Sequence, residues 1–390
     1  MQLKTPALAV LAAGACLALA CRPASEDPVA SLESAFQTIV TAAVAGHEMD
    51  FGAALHVDAP RLGLTWEGAA GVADPATGEE MTSALPVLVA SNTKTFISAS
   101  ILRLREKGLL DLDDPIEDHL PDTYVELLRG DGYDPGAITV RHLLTHTSGL
   151  FDFADTDIYT EEIMADPKHR WTRTEQLEAA MEWGDPYGPP GEVYRYCDTG
   201  YILLGEILEH VTGRSMPDAV RELVDYDRLG LHSTWFETLE PRPDGVAEPA
   251  HQFWLGIDVT TIDPSVDLYG GGGVASTVGD LAAFFRAVFS GGIFEDPSTV
   301  DTMLSTLDVE RAGPDYFGSK LRVGEYRMGV TVTQMGGYTV YRHGGFYGTM
   351  AAYVPDLDLA IGATVNRTES GDELYSMVES AIEAVASHQP

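Results

Sequence analysis

Apolar residues recur along this chain in two periods, and the places where one gives way to the other divide it. Residues 31–45, opened by Ser31 with Glu33 close behind, carry Leu32 and Phe36 at helical spacing. Two strand-like runs follow at 51–57 and 62–72, with Asp58-Ala59-Pro60-Arg61 as the turn between them. From Ser91 the spacing returns to three and four residues. Phe96, Ile97, Ile101, Leu102, Leu104 and Leu109 fall on one face, and the helix ends at Gly108. Ser91 therefore sits at or near a helix N-terminus.

From about residue 111 the pattern is helix and loop, punctuated by Pro186, Pro189, Pro190 and Gly191. Gly270 to Gly273 break the chain, after which Ser276 or Thr277 can cap a helix over 278–289. Strands are predicted at 326–334, 338–343, 350–354 and 359–365, with a closing helix over 374–386. Strand patterning at both ends of a helical middle predicts an α/β fold. Its antiparallel sheet is built from both termini and flanked by helices, over residues 29–110 and 255–390, with an all-helical domain, 111–254, inserted.

Charge changes this picture more than composition does. The 390 residues are 45% hydrophobic, but 24 Lys and Arg face 60 Asp and Glu, a net charge of −36. Such a field repels phosphates, so a nucleic-acid partner is not expected. The acidic residues are scattered among apolar ones and read as a solvated surface. At the N-terminus, Lys4, an apolar stretch from Ala7 to Ala20 and then Cys21 have the form of a secretory leader over 1–21, followed by a polar tether over 22–28. Ala18-Leu19-Ala20-Cys21 also resembles a bacterial lipoprotein box, which would lipidate Cys21 and anchor an exported, periplasmic or cell-envelope protein; simple secretion is the alternative. Cys16 and Cys21 belong to the leader, so Cys197 stands alone in the expected mature domain and no intramolecular disulfide framework is expected.

The chemistry centres on Ser91-Asn92-Thr93-Lys94. Three residues apart on a helix, Ser91 and Lys94 share a face, and the lysine can reach the hydroxyl that a serine nucleophile must have activated. The helix N-terminus favours developing negative charge, and the Ser91 N–H is a candidate oxyanion donor. Alone, the run argues little, since a capping serine and an exposed lysine would look the same. Two further motifs follow in order: Tyr196-Cys197-Asp198-Thr199-Gly200-Tyr201 and Arg342-His343-Gly344-Gly345.

With residues 138–150 (Ile138-Thr139-Val140-Arg141-His142-Leu143-Leu144-Thr145-His146-Thr147-Ser148-Gly149-Leu150), these motifs resemble the serine β-lactamase and penicillin-binding family. The likeness is to the branch with class C β-lactamases, D-Ala-D-Ala carboxypeptidases, D-aminopeptidases and esterases. It implies a site between an α/β part and a helical domain, with no cofactor or metal. Ser91 would be the nucleophile, Lys94 its activator, and Tyr196 the acid and base, its pKa lowered by Lys94. Asp198 and His343 would line the substrate, and Phe346 would supply a second oxyanion N–H. Gly344 and Gly345 would let substrate approach the strand edge.

Two positions depart from the family pattern. Asp198 stands where many members have Asn and, when ionised, only accepts hydrogen bonds. His343 stands where many have Lys, so a carboxylate anchor there is expected to titrate near neutrality. Both shift the expected substrate from β-lactams toward D-amino-acid peptides. A carboxylesterase, a weak β-lactamase, or a protein that binds penicillin or wall fragments without turnover remain open. His142 and His146 read as packing or hydrogen-bonding residues rather than a metal pair, and Cys197 as a core residue.

Overall fold

The computed structural model describes residues 28–46, 51–305, 309–311 and 325–389. The leader, Cys21 and the tether up to residue 27 lie outside them. Seven strands form one antiparallel sheet in the order Thr331–Met335, Tyr338–Gly345, Thr349–Val354, Leu359–Val365, Gly52–Ala59, Leu64–Asp74 and Glu79–Glu80. Leu359–Val365 pairs directly with Gly52–Ala59, from Ala53 opposite Val365 to Asp58 opposite Ala360. The two ends of the chain therefore close a single sheet, as the alternation at each end predicts.

Helices cover both faces. Leu32, Phe36, Val40 and Ala43 of helix Pro28–Val44 meet Met377, Val378, Ala381, Ile382 and Val385 of helix Gly371–Ala386 against one face. Burying each large aliphatic or aromatic side chain contributes about 1.5–3 kcal/mol. On the other face lies helix Val278–Phe289, opened by Thr277, whose side chain accepts from the Asp280 N–H. It seats so closely on strand Leu359–Val365 that a Cβ on Gly362 would lie 1.9 Å from the Val278 carbonyl oxygen.

Beyond that helix stands the helical region, with Asp122–Gly130, Asp157–Ala165, Arg173–Trp183, Asp198–Thr212 and Met216–Val224 as its longer members. Helix Thr93–Glu106 runs between the two parts. Phe96, Ile97, Ile101, Leu102 and Leu104 bury completely in a core shared with the helical region. Leu109 does not join them and is 51% exposed. The helix ends at Glu106, and Gly108 then turns the chain outward with φ +67°.

Other differences from the sequence reading have local causes. The helical stretch yields one strand, Trp235–Phe236, to a three-stranded sheet with Val274–Ser276 and Val87–Leu88. Phe253–Trp254 and Ile257–Asp258 form a short hairpin at its boundary. The strand expected over 326–334 begins only at Thr331, because the chain folds back over 327–330, where the Arg327 N–H donates to Val330 O at 2.7 Å, and Tyr326 keeps an isolated bridge to Thr331. Among the described residues no helix is long and apolar enough to cross a membrane.

Candidate active site

Ser91 lies in a 3-10 turn, Ala90–Asn92, immediately ahead of helix Thr93–Glu106, so it precedes the α-helix rather than opening it. Ala90 has φ +46°, a conformation costing a residue with a side chain on the order of 1–3 kcal/mol. The surroundings hold it there. The Val89 N–H donates to Val274 O at 2.9 Å, and Asn92 Nδ2 donates to Val89 O and Thr349 Oγ1, each at 3.0 Å. Thr349 Oγ1 donates to Val89 O at 3.1 Å, and the Val274 N–H donates to Thr93 Oγ1 at 3.1 Å. The turn that carries Ser91 is thereby pinned to the large sheet on one side and the small sheet on the other.

Lys94 is fully buried, with three polar partners around its ammonium. Nζ donates to Ser91 Oγ at 3.0 Å and to the Gly271 carbonyl at 2.6 Å, and it forms an ion pair with Asp198. Asp198 is the first residue of helix Asp198–Thr212, where a carboxylate also suits the helix dipole. Gly271 was not foreseen as part of the site. The break in the chain at Gly270 to Gly273 was the available signal, and its role is to bring a bare backbone against Lys94 and Asp198.

Tyr196 joins the pair from the other side, its ring centroid 4.9 Å from Lys94 Nζ. Its pKa runs opposite to the sequence expectation. Burial, then the Asp198 charge, push the phenol well above its ordinary value, while a hydrogen bond with Ser91 works against them. Tyr196 is therefore a neutral phenol in the resting site. His146, with φ +56°, stacks on it at a centroid distance of 4.2 Å, and its Nδ1 accepts from the Cys197 N–H at 3.1 Å. His146 thus positions the backbone that carries Tyr196, and burial holds its imidazole neutral. His142 serves helix Val140–Leu144 as the second half of a capping box with Thr139. Cys197 is buried, its thiol directed at the Phe151 carbonyl and held protonated by burial, which leaves it no nucleophilic part.

Strand Tyr338–Gly345 brings His343 to the cleft, but not as a cation. The side chain is 5% exposed, and burial followed by the Lys94 charge pushes its pKa down to about 3. Nδ1 donates to Gly344 O at 2.8 Å, which fixes the tautomer and leaves Nε2 to accept from the Tyr326 hydroxyl at 3.2 Å. The expected titration near neutrality is therefore corrected: His343 offers a substrate carboxylate no charge. The two glycines also separate in role. A Cβ on Gly344 would meet only Thr349 O, at 3.8 Å, so its surface is open to a ligand. A Cβ on Gly345 would lie 2.2 Å from both Val89 O and Thr349 Oγ1, so this glycine serves the packing of the strand on the nucleophile's turn. Phe346 follows in a turn closed by Gly348 N–H donating to Gly345 O at 3.0 Å, with its ring 5.6 Å from Trp254.

Asp152 is a further acidic member of the site. It caps the turn Phe153–Asp155, and burial, then the Asp198 charge, raise its pKa well above the usual carboxylate range. Among the described residues no group of three or more His, Cys, Asp or Glu side chains could hold a metal ion.

Comparison with known proteins bears on the fold and the family. A D-stereospecific amidohydrolase from Streptomyces sp. superposes with a TM-score of 0.72 at 26% identity, over 89% of this chain and 98% of that one. A D-amino acid amidase from Ochrobactrum anthropi SV3 shares the fold, with a TM-score of 0.74 at 23% identity over 92% and 100%. Penicillin-binding protein 4* of Bacillus subtilis is 27% identical over 219 residues, 52% of this chain; the match spans 44% of that relative's length. The sequence profile of the β-lactamase family matches residues 41–385. With Ser91, Lys94 and Tyr196 gathered in one cleft, the chain belongs to the β-lactamase family and is built as a serine hydrolase.

Proposed function

We propose that the protein is an acyl-transferring amidohydrolase whose acyl-enzyme forms on Ser91 and whose substrates are amides of D-amino acids. The observation that carries this reading is the 3.0 Å hydrogen bond from Lys94 Nζ to Ser91 Oγ, with Nζ also donating to Gly271 O and ion-paired with Asp198. An ammonium fixed in this way stabilises negative charge developing on Oγ. A neutral Tyr196 suits a relay: it takes the Ser91 proton as it gives its own to the leaving nitrogen, and no free phenolate is required. The N–H groups of Ser91 and Phe346 are the proposed oxyanion donors. Water attacking the acyl-enzyme reverses the relay and releases the acid.

The charges bear on the substrate. The Lys94 charge is already paired with Asp198 and His343 is neutral, so neither anchors the terminal carboxylate of a D-Ala-D-Ala peptide or a β-lactam. Amidase-type substrates are favoured over carboxypeptidase-type ones, and the D-specific amidohydrolase that shares this fold supports the same choice. Neutral short-chain esters are the second reading, because the same uncharged His343 leaves them unopposed.

The test is a panel of D- and L-phenylalanine amide, a D-Ala-D-Ala peptide, a short-chain ester and a chromogenic cephalosporin, with Ser91→Ala as control. The D-amide is turned over fastest and the control is inert. Preference for the D-Ala-D-Ala peptide or the cephalosporin, or turnover surviving in Ser91→Ala, overturns the reading. Export rests on residues 1–21 alone, and we propose it with Cys21 as the lipid anchor; fractionation of the wild type and Cys21→Ser checks it, the variant leaving the membrane fraction.

A further inference from the structure

Four consecutive glycines place two carboxylates side by side in the cleft. Gly271, whose carbonyl accepts from Lys94, has Asp198 packed on it: a Cβ there would meet Asp198 Cβ at 3.3 Å. On Gly272 a Cβ would lie 2.0 Å from Asp267 Oδ1 and 2.5 Å from its Oδ2, so the Asp267 carboxylate lies flat against bare backbone one residue along. Asp267 ends a 3-10 turn, Pro264–Asp267, and its carboxylate makes no hydrogen bond or ion pair with any described residue. The neighbouring cation is already engaged, since Lys94 donates to Ser91 and Gly271 and is ion-paired with Asp198.

A second group points to the same place. Tyr347 is 7% exposed, yet its hydroxyl bonds to no described residue. Its ring packs with Ala90, the residue before the nucleophile, and with Trp254 and Phe346, and the charges that bear on its hydroxyl are those of Asp267 and Asp198. Two acceptors that bond to no described residue, a hydroxyl and a carboxylate, thus bear on one place, where a ligand can supply the donors.

We propose that Asp267, with the Tyr347 hydroxyl, is the specificity-determining subsite for a cationic group on the substrate, an ammonium carried by the acyl portion, with Trp254 and Phe346 facing its side chain. This rests on acyl transfer to Ser91 as proposed above. An ammonium brings three N–H donors, enough for Asp267, Tyr347 and a third acceptor, and it offsets a carboxylate that has no counter-charge among the described residues. Asp267 responds as an acid under these constraints. Burial, then the Asp198 charge, raise its pKa to about 7, while Lys94 works against them. A cation beside it restores the ionised form.

The test compares kcat/KM for D-phenylalanine amide with that for its N-acetyl analogue, within each variant, so that loss of folded protein cancels. In Asp267→Asn the ratio falls roughly 10- to 100-fold, the span of one charge-assisted hydrogen bond. Tyr347→Phe, which removes only a hydroxyl, lowers the same ratio several-fold. An unchanged ratio in both variants overturns the proposal, as does a wild type that prefers the acetylated amide. Calorimetric binding of D-phenylalanine amide to Ser91→Ala, with and without Asp267→Asn, needs no turnover and separates the two failures. If the amides are not hydrolysed but this affinity still falls at least tenfold on Asp267→Asn, the subsite stands and the catalytic reading fails; equal affinities refute the subsite.

Discussion

Replacing Gly345 by Ala should damage the site without touching any reacting group. The added Cβ would sit 2.2 Å from Val89 O and 2.2 Å from Thr349 Oγ1. A carbon normally approaches an oxygen no closer than about 3.3 Å, so strand and turn must part by roughly 1 Å. Neither oxygen is free to yield. Val89 O accepts from Asn92 Nδ2 and Thr349 Oγ1, and the Val89 N–H is itself committed to Val274. The displacement therefore passes to Ala90 and Ser91. Overpacking of this kind costs about 1–3 kcal/mol, and a 1 Å misplacement at a reacting atom costs on the order of 100-fold in rate. Gly344→Ala is the matched control, since its Cβ would meet nothing nearer than 3.8 Å. Denaturant unfolding and kcat on the best substrate read the two effects. Gly345→Ala should lose stability and about two orders of magnitude in kcat, while Gly344→Ala unfolds like the wild type. A Gly345→Ala protein with wild-type stability and kcat would refute the claim that this glycine sets the nucleophile's turn.

Other substitutions test the electrostatics. Tyr196→Phe removes the relay and should lower kcat by about 10²- to 10⁴-fold with KM little changed, measured by steady-state kinetics. Asp198→Ala leaves Lys94 charged and buried without its counter-ion and should cost about 3–5 kcal/mol of stability by denaturant unfolding. Asp198→Asn keeps an acceptor but removes a like charge, so kcat/KM for N-succinyl substrates should rise; unchanged values would count against it. His343 has its folded pKa depressed to about 3, below the unfolded value near 6.5. Its stabilisation is thus complete above about pH 6.5 and drains away as pH falls toward 3, at about 1.4 kcal/mol per pH unit. The difference in unfolding free energy between wild type and His343→Gln should shrink at that slope from pH 6 to pH 4, where a flat difference would mean that the imidazole is not buried neutral.

The sheet was legible where burial coincides with period. Strand Leu359–Val365 and helix Val278–Phe289 lie where the apolar pattern puts them, because the strand is buried over its whole length and the helix buries a continuous face that leaves only Gly279, Asp280, Ala283 and Arg286 outside it. Two-residue strands such as Trp235–Phe236 carry no period and were invisible. Ser91 and Lys94 could be named because they stand one helical turn apart, and Tyr196 because the ordered motifs resemble those of the β-lactamase family. Their protonation could not be. The pKa shifts of Tyr196 and His343 follow from complete burial and from Asp198 and Lys94 as neighbours, and those arise only from the tertiary fold. Asp267 and Tyr347 escaped for a similar reason: 80 residues part them, and only the bare backbone at Gly272 and the core around Ala90 bring them to one cleft.

The central claim is that Ser91 becomes covalently acylated with Lys94 as its partner. Intact-mass measurement after reaction with a fluorophosphonate, followed by peptide mapping, tests it most directly. The account predicts one adduct per chain, located on Ser91, absent in Ser91→Ala and slowed at least 100-fold in Lys94→Met. An adduct on another residue, or one formed at the wild-type rate without Lys94, would contradict it.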